Sequence, residues 1–256
     1  MSLLVLKLLL DIFLKIMEKK PANLIYILPN LFTAASIFAG VFSMISAIEG
    51  SFVQAAWLIL LSLIFDGLDG RVARLTNTCS KFGVEFDSLA DMVSFGVAPA
   101  LLIYLFIGHD FERFGVVVSA AFVIFGAIRL ARFNVMTAQS EPSVFIGVPI
   151  PTAAVFVSLL VLLFEKYAIK ADYGIIIMLL AILVSFLMVS NIRYPSFKKV
   201  DFTPKHKMKL FVGILFTALV IFMYPIEGFA LMFTLYILYG PVRMLFLFPK
   251  RLFKNK

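Results

Sequence analysis

Charge is scarce in this chain of 256 residues: Asp, Glu, Lys and Arg make up 15% of it, against 62% hydrophobic residues. That balance fits neither an ordinary globular domain nor a disordered or fibrous chain. Cysteine occurs once, at Cys79, which excludes a disulfide framework and leaves that residue as a small loop side chain. The 2 histidines, His109 and His206, have no cysteine beside them. The chain therefore offers no zinc ligand set and no evident activated nucleophile for covalent catalysis. No small-residue cleavage site follows the apolar N-terminal stretch, which argues against a targeting segment there.

What the chain does contain is 29 phenylalanines and a mean hydropathy of +1.04. Apolar stretches long enough to cross hydrocarbon recur at 24–48, 52–70, 82–107, 114–134, 149–165, 173–190, 208–223 and 228–247, separated mainly by short polar punctuation. The expected fold is an all-α integral membrane protein with about eight transmembrane helices. Residues 3–17 add a short interfacial helix within an N-terminal segment 1–22, because Lys7, Asp11 and Lys15 repeat on one face.

Eight spans put both termini on one side. All of the 23 Lys and Arg residues except Arg113, Lys166 and Lys170 then fall on that side, which the positive-inside rule identifies as cytoplasmic. The net charge of +8 answers topology and anionic phospholipid headgroups. It calls for no nucleic-acid partner, which would need a coherent basic surface.

The stretch DGLDGRVARLTNTCSKFGVEFDSLADMVSFGVAP, residues 66–99, departs from this greasy background. On a helix leaving the membrane, Asp66 and Asp69 share a face at i and i+3; on the next helix Gly83, Asp87 and Asp91 form one stripe at i+4 steps. A turn around Thr76 to Ser80 makes the two helices antiparallel neighbours, so the four aspartates converge near the cytoplasmic interface. An aspartate at mid-membrane costs about 2.5–3.5 kcal/mol, and four together need counter-charge. Hard carboxylate oxygens suit Mg²⁺, Mn²⁺ or Ca²⁺, and two such ions would suit a phosphate-bearing substrate. Solvated loop carboxylates or an ion or proton pathway are the alternatives. Gly70, Gly83 and Ala73 instead describe a low floor beside Arg74, more like a cavity than a pore wall.

Asp66, Asp69, Gly70, Ala73, Arg74, Gly83, Asp87 and Asp91 together match the signature of the CDP-alcohol phosphatidyltransferase family at every fixed position. The wider stretch FGVEFDSLADMVSFGVAPA, with PNLFTAASIFAG at 29–40 and RLARFN at 129–134, resembles the phosphatidylserine synthase branch. The resemblance runs from residue 23 to about 209, a catalytic core followed by C-terminal helices and a basic tail over 210–256. It implies that Asp66, Asp69 and Asp87 are metal ligands, with Asp91 near a second metal and acting as general base. It implies that Pro29, Asn30, Thr33, Gly70, Ala73, Arg74 and Gly83, with Asp66 and Asp69, form the nucleotide and diphosphate surface. The implied assembly is a homodimer.

The implied reaction moves the phosphatidyl group of CDP-diacylglycerol to L-serine and releases CMP, by direct displacement. Arg129 and Arg132, at i and i+3, are candidates for the lipid phosphate or the serine carboxylate; Arg193, Lys198 and Lys205 are softer ones. Glu85 turns away from the aspartate stripe. GVPIPTAA at 147–154 shapes a helix entry and is a possible wall of the serine pocket. Glycerol 3-phosphate or an inositol phosphate are alternative acceptors, and a carboxylate-lined transporter is the alternative from another class.

Overall fold

The computed structural model describes residues 21–137, 144–195, 213, 217 and 219–252. The interfacial helix expected at 3–17, most of the span expected at 208–223, and Lys198 and Lys205 lie outside these residues.

The helices are α1 Pro21–Ile48, α2 Phe52–Leu75, α3 Lys81–Asp91, α4 Ala98–Phe106, α5 Glu112–Thr137, α6 Ile150–Lys166, α7 Lys170–Val189 and α8 Pro225–Leu252. Connections of only a few residues join α1 to α2, α2 to α3 and α6 to α7, as in helical hairpins. Five continuous segments among the described residues are long and apolar enough to cross a membrane: Ile27–Ile48, Phe52–Leu75, Lys81–Phe106, Gly108–Met136 and Pro225–Met244. This is a multi-pass membrane protein. The spans expected at 149–165 and 173–190 correspond to the shorter α6 and α7, of 17 and 20 residues.

Helix α6 is the centre of the bundle. Its residues from Ala153 to Leu162 are buried without a break, as expected of a helix that is apolar on every side. Around it, large side chains such as Phe38 on α1 and Phe186 on α7 are exposed; on membrane-length helices these are the surfaces that meet hydrocarbon.

Close approach of α1, α2 and the α3–α4 segment depends on small polar residues. Ser36 and Ser62 hydroxyls lie 2.7 Å apart, and Ser62 Oγ donates to the Ser36 carbonyl at 3.1 Å. Ser94 Oγ donates to the same carbonyl at 2.9 Å. A Cβ on Gly40 would lie 2.7 Å from Ser94 Oγ and 2.9 Å from its Cα, so the backbones meet only because Gly40 has none. Burying these hydroxyls is tolerable because each finds a partner.

Two features were not expected from sequence. The span expected at 82–107 is not one regular helix: α3 passes into a π-helical turn at Met92–Val97 before α4. Pro99 has no N–H for the Phe95 carbonyl, and the Ala98 N–H donates to the Val93 carbonyl five residues back. The all-α expectation also needs a small correction. Val144–Ile146 (β1) pairs antiparallel with Arg193–Pro195 (β2), with Phe145 opposite Tyr194. Strands three residues long and far apart in sequence leave too little periodicity to read.

Candidate active site

Helix α2 ends at Leu75, and a left-handed Asn77 (φ 54°) turns the chain. The Thr78 N–H returns to the Ala73 carbonyl at 2.9 Å. Ser80 then caps α3, its Oγ accepting from the Gly83 N–H at 3.0 Å. This turn brings the C-terminal part of α2 beside the N-terminal part of α3, as the spacing predicted. Asp66, Asp69 and Asp87 each offer a carboxylate oxygen, all within 4.8 Å of one another. Asp91 follows one helical turn after Asp87, outside that group of three.

Helix α1 supplies the third wall. Thr33 Oγ1 donates to Asp69 Oδ2 at 2.7 Å and lies 3.2 Å from the Pro29 carbonyl. Asp69 is almost fully buried, at 6% exposure. Its fixed carboxylate marks the edge of a cleft of about 210 Å³ lined by Pro29, Asn30, Thr33, Asp69, Gly70, Ala73, Arg74, Gly83 and Asp87. The residues expected at the nucleotide and diphosphate surface thus gather in one place, except Asp66, which belongs to the carboxylate group beside it. Thr78, Cys79, Ser80 and Val84 also line the cleft, the first three from the turn expected between the two helices. A serine directly before a helix is an N-cap signal that identifies Ser80.

The glycine floor differs at its two ends. A Cβ on Gly83 would come 3.2 Å from Ser80 Oγ, whereas one on Gly70 would meet only the end of the Arg74 side chain, at 3.7 Å. Packing within the chain therefore does not demand glycine at 70; what a side chain there would fill is the cleft.

The donor set fits a divalent cation. Asp87 Oδ1 and Asp91 Oδ1 are buried with no hydrogen-bond partner. Buried carboxylate oxygens without donors are costly. With three carboxylates in ligand range and no His or Cys among them, the fit is to a hard, oxygen-seeking ion. Asp66, Asp69 and Asp87 can hold one such ion.

The two arginines on α5 part company. Arg132 is committed to the chain: Nη1 donates to the Val189 carbonyl at 3.0 Å and to Asn191 Oδ1 at 3.3 Å, and Nη2 to the carbonyls of Ile146 at 3.0 Å and Ser190 at 3.2 Å. It ties β1 to the C-terminal end of α7, where the last carbonyls lack intrahelical partners. Arg129 is 6% exposed, stands over the Phe133 ring at 5.0 Å, and lies within electrostatic reach of Asp91. No hydrogen-bond acceptor reaches it among the described residues. Arg193 enters β2 opposite Ile146, and Glu85 is exposed. Pro149 is the residue before α6, with extended backbone, as expected of a helix entry.

The family model described as CDP-alcohol phosphatidyltransferase matches residues 26–187. A Helicobacter pylori protein (strain ATCC 700392 / 26695) named CDP-diacylglycerol–serine O-phosphatidyltransferase is 54% identical over 238 residues, covering 92% of this chain and 99% of the relative. Proteins of the same name from Methanocaldococcus jannaschii and Bacillus subtilis are 42% and 34% identical, over 73% and 67% of this chain and 82% and 92% of theirs. The chain belongs to the CDP-alcohol phosphatidyltransferase family.

Proposed function

We propose that this member of the CDP-alcohol phosphatidyltransferase family transfers the phosphatidyl group of CDP-diacylglycerol to the hydroxyl of L-serine, forming phosphatidylserine and CMP. The observation that carries the reading is the convergence of Asp66, Asp69 and Asp87 beside a cleft that Thr33, Gly70, Ala73 and Arg74 line. Similarity to the Helicobacter protein along nearly its whole length supports serine as acceptor.

Asp66, Asp69 and Asp87 would hold Mg²⁺ or Mn²⁺ in this reading, and Asp91, whose Oδ1 is buried without a hydrogen-bond partner, would help hold a second ion. Divalent metal would neutralise the diphosphate and stabilise charge on its oxygens during transfer. The chain's own groups do the rest. The cytidine diphosphate lies along the glycine floor, with Arg74 at its edge. The serine Oγ forms the new bond to the phosphatidyl phosphorus as the bond from that phosphorus to the CMP oxygen breaks. The serine hydroxyl proton passes to the Asp91 carboxylate. The chain offers no evident activated nucleophile for a covalent intermediate, so the displacement is direct.

Arg129 is assigned to the acceptor's carboxylate. It is buried and, among the described residues, has no hydrogen-bond acceptor, whereas the Arg132 donors are occupied. The site faces the cytoplasm with both termini, as the distribution of Lys and Arg supports. The active form is a homodimer, in keeping with the family resemblance.

The test is turnover by purified protein with CDP-diacylglycerol, Mg²⁺ or Mn²⁺, and each of L-serine, glycerol 3-phosphate and inositol phosphate, following CMP and the lipid product. Serine-dependent product is expected. Product with another acceptor alone, or ion flux without nucleotide dependence, would sink the assignment. Asp91→Asn is expected to abolish measurable transfer while leaving cytidine nucleotide binding intact.

A further inference from the structure

The segment GVPIPTAA at 147–154 shapes the entry to α6, and its isoleucine does more than that. Ile150 is the first residue of α6, set between Pro149 and Pro151 and fully buried. The chain leading into it is held by the Gly147 N–H on the Ile192 carbonyl at 2.9 Å and by the Val148 N–H on the Leu187 carbonyl at 3.1 Å. Two proline rings and two anchored amides make this a stiff mount.

The Ile150 side chain enters between two buried glycines. A Cβ on Gly126 of α5 would fall 2.7 Å from Ile150 Cδ1, and one on Gly96 of the π-helical turn would fall 3.6 Å from the same atom. The methyl group therefore separates the π-helical turn from α5, filling room that only glycine backbones leave. A second contact joins the same two segments: Asn134 Nδ2 donates to Ser88 Oγ at 2.9 Å. From Ser88 to Gly96 and from Asn134 to Gly126 is eight positions each, so α3 with its π-helical turn runs antiparallel to α5 between the two contacts. Asp91 and Arg129 both fall in that interval, offset by about 3 Å in height at 1.5 Å per residue. An acceptor whose hydroxyl goes to Asp91 and whose carboxylate goes to Arg129 must span the gap that the wedge holds open.

We propose that Ile150 is a positioning residue for acceptor selection: wedged between Gly96 and Gly126, it sets the separation of the segments that carry Asp91 and Arg129, and with it the length of amino-acid acceptor that reaches both. The proposal rests on the serine-transfer reading and its assignments of Asp91 and Arg129. A difference of one methylene between hydroxyl and carboxylate is what such a gap can discriminate.

The experiment moves one methyl group across the contact in the full-length protein. Gly126→Ala adds a Cβ 2.7 Å from Ile150 Cδ1; Ile150→Val removes that Cδ1, and the next atom, Cγ1, lies at 3.5 Å, an ordinary contact. Steady-state kinetics in detergent with CDP-diacylglycerol compare L-serine with L-homoserine, one methylene longer, followed both as substrate and as competitor. Gly126→Ala is expected to lower kcat/KM for L-serine on the order of tenfold and to shift the preference toward L-homoserine, with KM for CDP-diacylglycerol unchanged. Combining Gly126→Ala with Ile150→Val should return both rate and preference to near wild type. Equal losses for the two acceptors mark a merely structural effect and would overturn the proposal, as would a double variant that does not recover. If Gly126→Ala does not fold, Ile150→Val alone decides: the shortened wedge should move the preference the opposite way, and an unchanged preference overturns the proposal. Arg129→Lys tests the reading beneath it. If that variant raises KM for L-serine while the wedge variants leave the preference unchanged, only the role of Ile150 fails; if it leaves that KM unchanged, the Arg129 assignment fails and the proposal with it.

Discussion

Thr33 and Asp69 are 36 positions apart and joined by a hydrogen bond of 2.7 Å, from Thr33 Oγ1 to Asp69 Oδ2. The bond crosses from α1 to α2 and leaves the Asp69 carboxylate one fixed orientation in a nearly closed environment. It couples a helix that lines the cleft to one of the carboxylates proposed to hold the metal. Removing it therefore tests whether the two parts work as one.

Thr33→Val keeps the shape of the side chain and deletes the donor. Loss of a partner that orients a metal ligand typically costs about 10–100-fold in metal affinity or activity. The expected result is a Mn²⁺ or Mg²⁺ activation curve displaced to higher metal by a factor in that range, with Thr33→Ser close to wild type. A curve that does not move would show that Asp69 needs no orienting partner.

Arg132→Ala should act on stability before chemistry. Its guanidinium donates to carbonyls of β1 and of the residues ending α7, and each carbonyl left without a donor costs about 1–3 kcal/mol. A lower melting temperature in detergent and faster proteolysis near 144–146 are expected. Apparent affinity for CDP-diacylglycerol in the surviving folded fraction should change little, which kinetics normalised to active protein will check.

Gly40→Ala puts a Cβ where the Ser94 backbone already is, at 2.9 Å. The α3–α4 segment must then move away from α1, an overpacking cost of about 1–3 kcal/mol. Because Asp91 precedes the π-helical turn that carries Ser94, activity should fall along with thermal stability. Gly67→Ala is the control: nothing lies within 4 Å of its added Cβ, and it should melt as wild type does.

Cys79 is exposed and lines the cleft. Alkylation by a maleimide should block the cleft and inactivate the protein, with CMP or a CDP-alcohol slowing the reaction. Cys79→Ser should keep activity and lose the sensitivity. Inactivation unaffected by nucleotide would place the cytidine elsewhere.

The membrane class, the helical spans and the acidic site follow from local information. Charge is so sparse that each span boundary stands out, and α1 through α7 lie close to the apolar stretches. The aspartates were legible because helical spacing alone puts Asp66 with Asp69 and Asp87 with Asp91 on common faces, and Ser80 and Asn77 make the turn between them. The π-helical turn was not, since Pro99 is compatible with a normal helix start and only the packing of Ser94 on α1 distinguishes the two outcomes.

Arginine shows the limit most clearly. Arg129 and Arg132 are alike by sequence: same helix, one turn apart, same charge. Tertiary structure decides between them, because the carbonyls that occupy Arg132 come from residues 146 and 188–190, which are brought together only by folding. Arg129 is left buried within electrostatic reach of Asp91, with no such carbonyl partners among the described residues. Residue spacing within a helix determined where the carboxylates could meet; which cation stayed available to a ligand depended on long-range contacts that no local periodicity encodes.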